Sequence, residues 1–253
     1  MNRILPDDFI AETASVRRIR PGIVCMTFSA PGFRSLPGQF LEIEVSPGPF
    51  PVTRRPFTVN RLLPEGFEIL FDLRGRGTEL LSSLSPGSPV RVLGPLGNGW
   101  RLAPGKWLLV GGGMGCAGFS FLAGELEEPP TVLMGASTAD RLLPFDDGDL
   151  RVITEDGSSG PRGRVTDLLP GIEPGDYRVV AVCGPVPMMR GVWLSLPPGH
   201  RRRVQVSAES RMGCGWGVCG GCAVPAAGGG YVKCCSDGPV FAGDELDWDR
   251  WTV

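Results

Sequence analysis

Short apolar or alternating stretches, separated by glycine and proline turns, fill the first hundred residues. Four of them have the length and pattern of β-strands: 39–45, 57–63, 66–73 and 89–97. Alternation places one face of a strand on a hydrophobic core and the other toward water. Several such strands at this spacing predict a small antiparallel β-barrel.

The hydrophobic pattern changes near residue 105. Residues 106–126, KWLLVGGGMGCAGFSFLAGEL, indicate a buried strand, a glycine turn and then a helix. Further apolar runs of strand length cover 130–137, 149–156 and 177–185, and each is followed by a loop. Strands that alternate with helical stretches predict a parallel α/β sheet.

A last strand-like stretch, 202–210, leads into a segment that holds five of the eight cysteines. The pattern therefore predicts three units. They are a β-barrel domain over 1–100, a parallel α/β domain over 101–202 and a small cysteine-rich domain over 203–253. The expected fold class is a multidomain protein of α/β and β units.

Composition narrows the class of partner. The chain has 253 residues, 42% of them hydrophobic, and a formal net charge of −2. Its only basic cluster is Arg201–Arg202–Arg203, which argues against a nucleic-acid partner. Neither an apolar leader nor an apolar run of about 18 residues is present, so we expect a cytoplasmic protein without a membrane span. In that compartment clustered cysteines bind metal or carry out redox chemistry more often than they form disulfides.

The spacing of the clustered cysteines is specific. Cys214 is followed by Cys219 and Cys222 in the order C-x4-C-x2-C, and twelve residues separate Cys222 from Cys235. Plant-type 2Fe–2S proteins have this order. Interspersed glycines let the main chain approach a cluster closely and direct N–H groups at its sulfur atoms. The segment is therefore predicted to bind a 2Fe–2S cluster.

Zinc is the alternative for the same segment. Structural zinc sites usually contain paired cysteine knuckles, often with histidine. Only Cys219 and Cys222 form such a knuckle, and the sole histidine, His200, lies outside the segment. Spacing leaves the fourth ligand open, because Cys234 and Cys235 are adjacent and neighbouring residues of an extended chain point in opposite directions.

A glycine turn in the second unit indicates a dinucleotide. The pattern Gly113-x-Gly115-x-x-Gly118 follows a predicted strand and precedes a helix, where backbone N–H groups can bind a pyrophosphate. A second strand ends at Cys183-Gly184-Pro185, at the edge where open α/β sheets bind ligands. A nicotinamide site is predicted here, with an ordinary glycine turn as the alternative. His200 is expected in a surface loop, and no residue is predicted as a general base.

The first unit offers weaker signals for a flavin. Arg55 stands beside Pro56 and could hold a phosphate together with the Thr58 hydroxyl, and Gly77–Thr78 opens a predicted helix. The stronger argument is chemical. A 2Fe–2S cluster carries single electrons and nicotinamide takes a hydride, so a flavin must connect them. The barrel is the unit left to hold it.

The order of motifs resembles a known family. RRPFT, GRGT, GGGMG, TEDGSSGPRGRVTD, CGPVPMM and the cysteine segment ending in CSDGPVF are similar to the electron-transfer subunits of class 1B dihydroorotate dehydrogenases, in the ferredoxin-reductase superfamily. The resemblance implies an FAD site at Arg55, Pro56, Phe57, Thr58, Leu70, Phe71, Asp72, Gly77 and Thr78. It implies an NAD site at Gly112, Gly113, Gly115, Cys183, Gly184 and Pro185. It also implies cluster ligands at Cys214, Cys219, Cys222 and Cys235, with Cys234 left over.

The same resemblance implies a function. An FMN-containing catalytic subunit would oxidise dihydroorotate, and this chain would relay the electrons through the cluster and FAD to NAD+ in pyrimidine biosynthesis, in an assembly of two copies of each subunit. One alternative is a diaphorase subunit of another complex, such as an electron-bifurcating ferredoxin:NADP reductase or a sulfite or hydrogen enzyme. The presence of Cys214 favours the first function. A zinc-stabilised binding module is the other alternative.

Overall fold

Seven antiparallel strands form the first sheet. The structure is a computed structural model that describes residues 6–46, 48, 51 and 53–251. The sheet has the order β4-β3-β7-β1-β2-β6-β5, and it curls around a core of buried apolar side chains. Its strands are β1 (Asp7–Arg20), β2 (Ile23–Ser29), β3 (Phe40–Ile43), β4 (Arg55–Thr58), β5 (Arg61–Leu63), β6 (Gly66–Asp72) and β7 (Pro89–Leu96).

Three features of this sheet differ from the sequence expectation. Strand β2 lies outside the four predicted stretches, although most of its side chains are buried. The stretch 57–63 is two strands, because β4 pairs with β3 whereas β5 pairs with β6. The long strand β1 carries no apolar alternation that would predict it, since only Ala11 and Thr13 are buried along it. It pairs with β2 and β7, so its position depends on its neighbours rather than on its own pattern.

Five parallel strands form most of the second sheet, which has the order β10-β9-β8-β11-β12-β15. Most side chains of its central strands are buried, as expected for a parallel sheet that is covered on both faces. The strands are β8 (Trp107–Gly112), β9 (Thr131–Ala136), β10 (Asp149–Thr154), β11 (Val179–Cys183) and β12 (Val204–Ser207), with β15 (Val240–Ala242) antiparallel to β12. The expected fold class, an antiparallel sheet followed by a parallel α/β sheet, is confirmed.

The helices are short. They are α1 (Arg76–Ser82), α2 (Phe119–Gly124), α3 (Val186–Ser195) and α4 (Pro198–Arg201). Within the described residues no helix has the length and apolar character needed to cross a bilayer. His200, expected in a surface loop, lies half-buried in α4.

The cysteine segment packs on the second sheet. It contains the small hairpin β13 (Ala223–Pro225) and β14 (Tyr231–Lys233) before strand β15. One hydrophobic cluster joins Val182 of the second sheet, Cys222 of the segment and Phe40 of the first sheet. The division at residues 100 and 202 therefore stays a prediction, because strand β15 and this shared core connect the second and third units.

Candidate electron-transfer site

The four predicted ligands form two pairs of thiols. The Sγ atoms of Cys222 and Cys235 are 3.0 Å apart. The backbone N–H of Cys219 donates to Cys214 Sγ at 3.5 Å, so these two ligands are also neighbours. A 2Fe–2S cluster takes four cysteine thiolates, two for each iron. The donor set and its pairing fit such a cluster.

Backbone N–H groups surround the sulfur atoms. Gly217 donates to Cys235 Sγ at 3.1 Å, Trp216 donates to Cys214 Sγ at 3.4 Å and Gly221 donates to Cys219 Sγ at 3.4 Å. Gly217 has a φ of 80°, which only glycine adopts without strain. These donors would stabilise negative charge on the sulfur atoms, which is one control of cluster potential.

The electrostatics of Cys214 already favour a thiolate. Burial opposes ionisation of this thiol, but backbone N–H groups of Cys219, Trp216 and Val218 outweigh it and lower the pKa to about 6. Metal ligation by cysteine requires the thiolate form. The loop thus prepares at least one ligand in the state that iron needs.

Cys234 and Cys235 differ in the contacts of their sulfur atoms. Both thiols are buried in the same hydrophobic cluster, and burial raises the pKa of each to about 12. The Cys235 sulfur lies beside Cys222 and receives the Gly217 N–H. This arrangement favours Cys235 as the fourth ligand, although that assignment stays a prediction.

The arrangement of the thiols bears on the zinc alternative. Cys222 and Cys235 are one pair of neighbours, and Cys214 and Cys219 are the other. The lone histidine, His200, lies in α4 and not in the cysteine segment. The paired arrangement of the thiols suits a two-iron centre better than a single tetrahedral ion.

A cationic cavity lies between β4 and α1. It has a volume of about 600 Å³ and is lined by Arg55, Arg74, Arg76, Gly77 and Thr78, with Pro51 at its rim. A Cβ added to Gly77 would lie 3.1 Å from Arg55 Nε, so the glycine keeps the cavity open beside the guanidinium. Three arginines around a glycine-floored cavity suit the diphosphate of FAD.

The other predicted flavin residues do not line this cavity. Phe57 and Phe71 are buried, with ring centroids 5.4 Å apart, and Leu70 is buried in a second cluster. Asp72 forms ion pairs with Arg74 and Arg141. Asp72 is thus connected to the cavity through Arg74, and direct contact of these residues with a flavin stays a prediction.

The larger cavity lies at the carboxyl edge of the second sheet. It has a volume of about 930 Å³, and Gly112, Gly113, Gly115, Gly184 and Pro185 line it. A Cβ would not fit at Gly115, since it would lie 2.5 Å from the backbone oxygen at position 183. The predicted glycines and the Cys-Gly-Pro edge are thus brought together. A dinucleotide fits this edge by volume and by backbone access.

Cys183 is buried beneath this edge instead of lining the cavity. Strand β4 of the first sheet lies next to the glycine turn, because a Cβ on Gly118 would lie 3.2 Å from Thr58 Oγ1. Arg74 lines both the 600 Å³ and the 930 Å³ cavity, which connects the predicted flavin and nicotinamide sites.

Several lining residues of the larger cavity were not predicted from the sequence. They are Met114, Ser137, Arg141, Glu155, Arg164, Thr166, Met188 and Glu209, among others. Most follow the ends of β9 and β10, so the parallel-sheet rule indicates their edge but not their individual identities. Arg74 lies in the quoted LRGRGT stretch, but its place between two cavities depends on the packing of two sheets.

Comparison with known proteins identifies the family. Residues 209–247 match the family described as the iron-sulfur cluster binding domain of dihydroorotate dehydrogenase B. The electron transfer subunit of dihydroorotate dehydrogenase B (NAD(+)) from Caldanaerobacter subterraneus subsp. tengcongensis is 35% identical, covering 93% of this chain and 97% of the relative. The corresponding subunit from Geobacillus kaustophilus is 37% identical over 83% of this chain and 86% of its own length. This chain belongs to that family of electron transfer subunits.

Solved structures of related reductases share the fold of this chain. An NADH-dependent reduced ferredoxin-NADP oxidoreductase, studied for flavin-based electron bifurcation, has a TM-score of 0.80 and 31% identity, covering 94% of this chain and 90% of the other. The ferredoxin reductase of carbazole 1,9a-dioxygenase has a TM-score of 0.66 at 20% identity, covering 82% of this chain and 71% of the other, and shows likeness of fold. The family resemblance stated from the motifs is confirmed.

Proposed function

We propose that this chain is the electron-transfer subunit of a dihydroorotate dehydrogenase B and works with FAD, a 2Fe–2S cluster and NAD. It is an oxidoreductase subunit that receives electrons from an FMN-containing catalytic subunit and delivers them to NAD+ for pyrimidine biosynthesis. One observation carries the proposal. The segment that matches the family's cluster domain contains two pairs of cysteine thiols, and backbone N–H groups donate to their sulfur atoms.

The chain's own residues bind and orient the carriers. When bound, the cluster transfers single electrons, and the flavin exchanges them for the electron pair of a hydride. Cys214, Cys219, Cys222 and Cys235 would hold the irons, while the N–H of Gly217 and its neighbours would stabilise charge on sulfur. Arg55 and Arg74 would neutralise the FAD diphosphate in the 600 Å³ cavity.

The contact between the two sheets would bring the predicted flavin and nicotinamide sites together. Thr58 of β4 lies against Gly118, the last glycine of the turn whose Gly113 and Gly115 line the 930 Å³ cavity. A flavin held by the first sheet and a nicotinamide held by the second would therefore occupy adjoining surfaces. Close approach of the two carriers is the requirement for hydride transfer.

The loop between Cys214 and Cys219, the cluster loop, has exposed apolar side chains that the catalytic subunit could contact. Trp216 and Val218, between two predicted ligands, have exposed fractions of 51% and 79%. Cys219 is also exposed. Large apolar side chains left in water mark protein interaction surfaces. We therefore assign docking of the FMN subunit to this loop, in an assembly of two copies of each subunit.

A cytoplasmic location belongs to the same proposal. All eight cysteines lack a disulfide partner in the structure. Unpaired, clustered thiols are typical of a reducing compartment. Pyrimidine biosynthesis, the process implied by the family, also places the subunit there.

Co-expression with the FMN-containing catalytic subunit encoded by the same organism tests the proposal. We expect a complex that contains iron, acid-labile sulfide, FMN and FAD and that reduces NAD+ with dihydroorotate. A preparation with stoichiometric zinc and no iron, or a complex that cannot use dihydroorotate, would refute it.

The second candidate is a diaphorase subunit of an electron-bifurcating complex. It is favoured by the TM-score of 0.80 with the NADH-dependent ferredoxin-NADP oxidoreductase. The two candidates differ in their partner. Affinity purification of the chain from its own organism, followed by identification of the co-purified flavoprotein, separates them.

A further inference from the structure

Four arginines converge on a cavity at the amino edge of the second sheet. This cavity has a volume of about 320 Å³, and it is lined by Arg101, Arg178, Arg202 and Arg203 together with Gln205. Apolar side chains complete the lining: Ala103, Val179, Val204 and Ala242. Two of these arginines, Arg202 and Arg203, belong to the basic cluster Arg201–Arg202–Arg203. The proposed electron transfer assigns no role to that cluster.

The cavity is separate from the nicotinamide edge. Val179 at the start of β11 lines it, whereas Cys183 at the end of the same strand lies beneath the glycine turn. Four residue steps along a strand correspond to about 13 Å. A ligand at one end of β11 therefore cannot touch a ligand at the other end unless it spans the sheet.

Two of the four arginines are held in place. Arg203 Nη1 donates to the backbone carbonyls of Pro174, Gly175 and Tyr177 at 3.2, 3.1 and 2.8 Å. The Arg101 side chain pairs with Glu245 at 3.1 Å, and its backbone exchanges two hydrogen bonds with the Gln205 amide. Cations fixed in this way lose little conformational freedom when they bind a ligand.

The other two arginines carry uncompensated charge. Arg178 and Arg202 are exposed, and neither occurs in an ion pair among the residues that the structure describes. The lining contains no carboxylate, and Glu245 offsets only Arg101. The chain as a whole has 25 basic and 27 acidic residues, so this is a local reversal of its charge balance. Such a concave cationic site attracts anions and concentrates them.

We propose that this cavity is a binding site for a small anion that carries a phosphate or diphosphate group. Planar guanidinium groups bind phosphate oxygens with paired, charge-assisted hydrogen bonds. Its volume lies at the lower end of the range for small-molecule sites, which suits a diphosphate or a small nucleotide rather than a dinucleotide. The apolar wall leaves room for a neutral organic portion beside the phosphates.

Isothermal titration with pyrophosphate tests the site. The protein carries its cluster and FAD and is saturated with NAD+, so that the flavin and nicotinamide cavities are already filled. We expect one pyrophosphate per chain, and binding weakened by roughly tenfold or more in the variant R178A/R202A, because charge-assisted hydrogen bonds are lost. R91A, which removes an exposed arginine of β7, serves as the matched control and retains wild-type affinity.

Further titrations identify the source of the phosphate. Tighter binding of adenosine diphosphate than of pyrophosphate identifies a nucleotide site, and the reverse order identifies an inorganic-anion site; either result supports the proposal. Absence of saturable binding, equal affinity in R178A/R202A, or equal weakening in R91A overturns it. R178Q/R202Q repeats the measurement with the side-chain bulk kept, and unchanged flavin and cluster absorption verifies that each variant is folded. The comparison of variants does not depend on the proposed electron-transfer function.

Discussion

The cysteine segment and the glycine edge of the second sheet recognise their ligands in opposite ways. In the segment, side-chain sulfur atoms are the predicted ligands, and backbone N–H groups support them. At the glycine edge, Gly112, Gly113, Gly115 and Gly184 carry no side chain, and their backbone borders that part of the cavity. The first site should therefore be damaged by removing one atom, and the second by adding one. This difference gives each region its own mutational signature.

The largest effect is expected from Cys235→Ser. Its Sγ lies 3.0 Å from Cys222 Sγ and receives the Gly217 N–H, so its loss removes one of four thiolates. We expect nearly complete loss of cluster iron and of electron transfer from the FMN subunit, while NADH still reduces the flavin. Iron analysis and visible absorption after anaerobic purification measure the effect.

Cys234→Ser is the matched control, since this thiol is equally buried and adjacent in sequence but has neither the Cys222 Sγ contact nor the Gly217 N–H of Cys235. Retention of iron is expected there. Loss of iron in Cys234→Ser together with retention in Cys235→Ser would reverse the ligand assignment.

The reverse manipulation, adding one carbon, is made by Gly115→Ala. The new Cβ would lie 2.5 Å from a backbone oxygen of the neighbouring strand end, which cannot move as a flexible side chain can. Overpacking of this kind costs about 1–3 kcal/mol. We expect weaker NADH binding and slower flavin reduction by NADH, measured by stopped-flow absorbance, with iron content unchanged.

Gly124→Ala adds the same carbon at the end of α2, where nothing lies within 4 Å of the added Cβ. This control is expected to reduce its flavin at the wild-type rate. If Gly115→Ala behaved like Gly124→Ala, the glycine edge would not be the nicotinamide site.

How far the sequence predicts the molecule depends on how local each signal is. The ligand set of the cluster depends on residue type and spacing within one segment, and the glycine turn depends on a few consecutive residues. Strand β1 was missed because most of its side chains are exposed, so its pattern resembles a polar loop. The pairing of β15 with β12 and the position of Arg74 between two cavities involve residues far apart in the chain. Such contacts follow from packing, which spacing does not encode.

The cluster loop also differs from the glycine edge in what it leaves exposed. Trp216→Ala should weaken association with the FMN subunit by about 2 kcal/mol, roughly thirtyfold, as expected for an exposed tryptophan at an interface. Cluster content and NADH-dependent flavin reduction should stay unchanged. Analytical ultracentrifugation or titration calorimetry with the purified partner measures the association. Tyr231→Ala, at another exposed aromatic side chain, is the control, and an equal loss there would assign docking to a different face.

The smallest effect is expected from weakening the ion pair that connects the first sheet to the loop after β9. Asp72 at the end of β6 has only 7% of its side chain exposed, and it pairs with Arg141 from the loop that follows β9. Asp72→Asn should lower the free energy of unfolding by about 1–2 kcal/mol, because a charge-assisted contact between the sheets is weakened. Asp149→Asn breaks a pair with Arg151 in which both side chains are about half exposed, and such surface pairs contribute about 0–1 kcal/mol. Thermal unfolding followed by circular dichroism compares the two. A larger loss of stability in Asp149→Asn than in Asp72→Asn would contradict this expectation. Hydrophobic packing, and not the Asp72–Arg141 pair, would then hold the two sheets together, and the flavin and nicotinamide sites would share a core but no electrostatic connection.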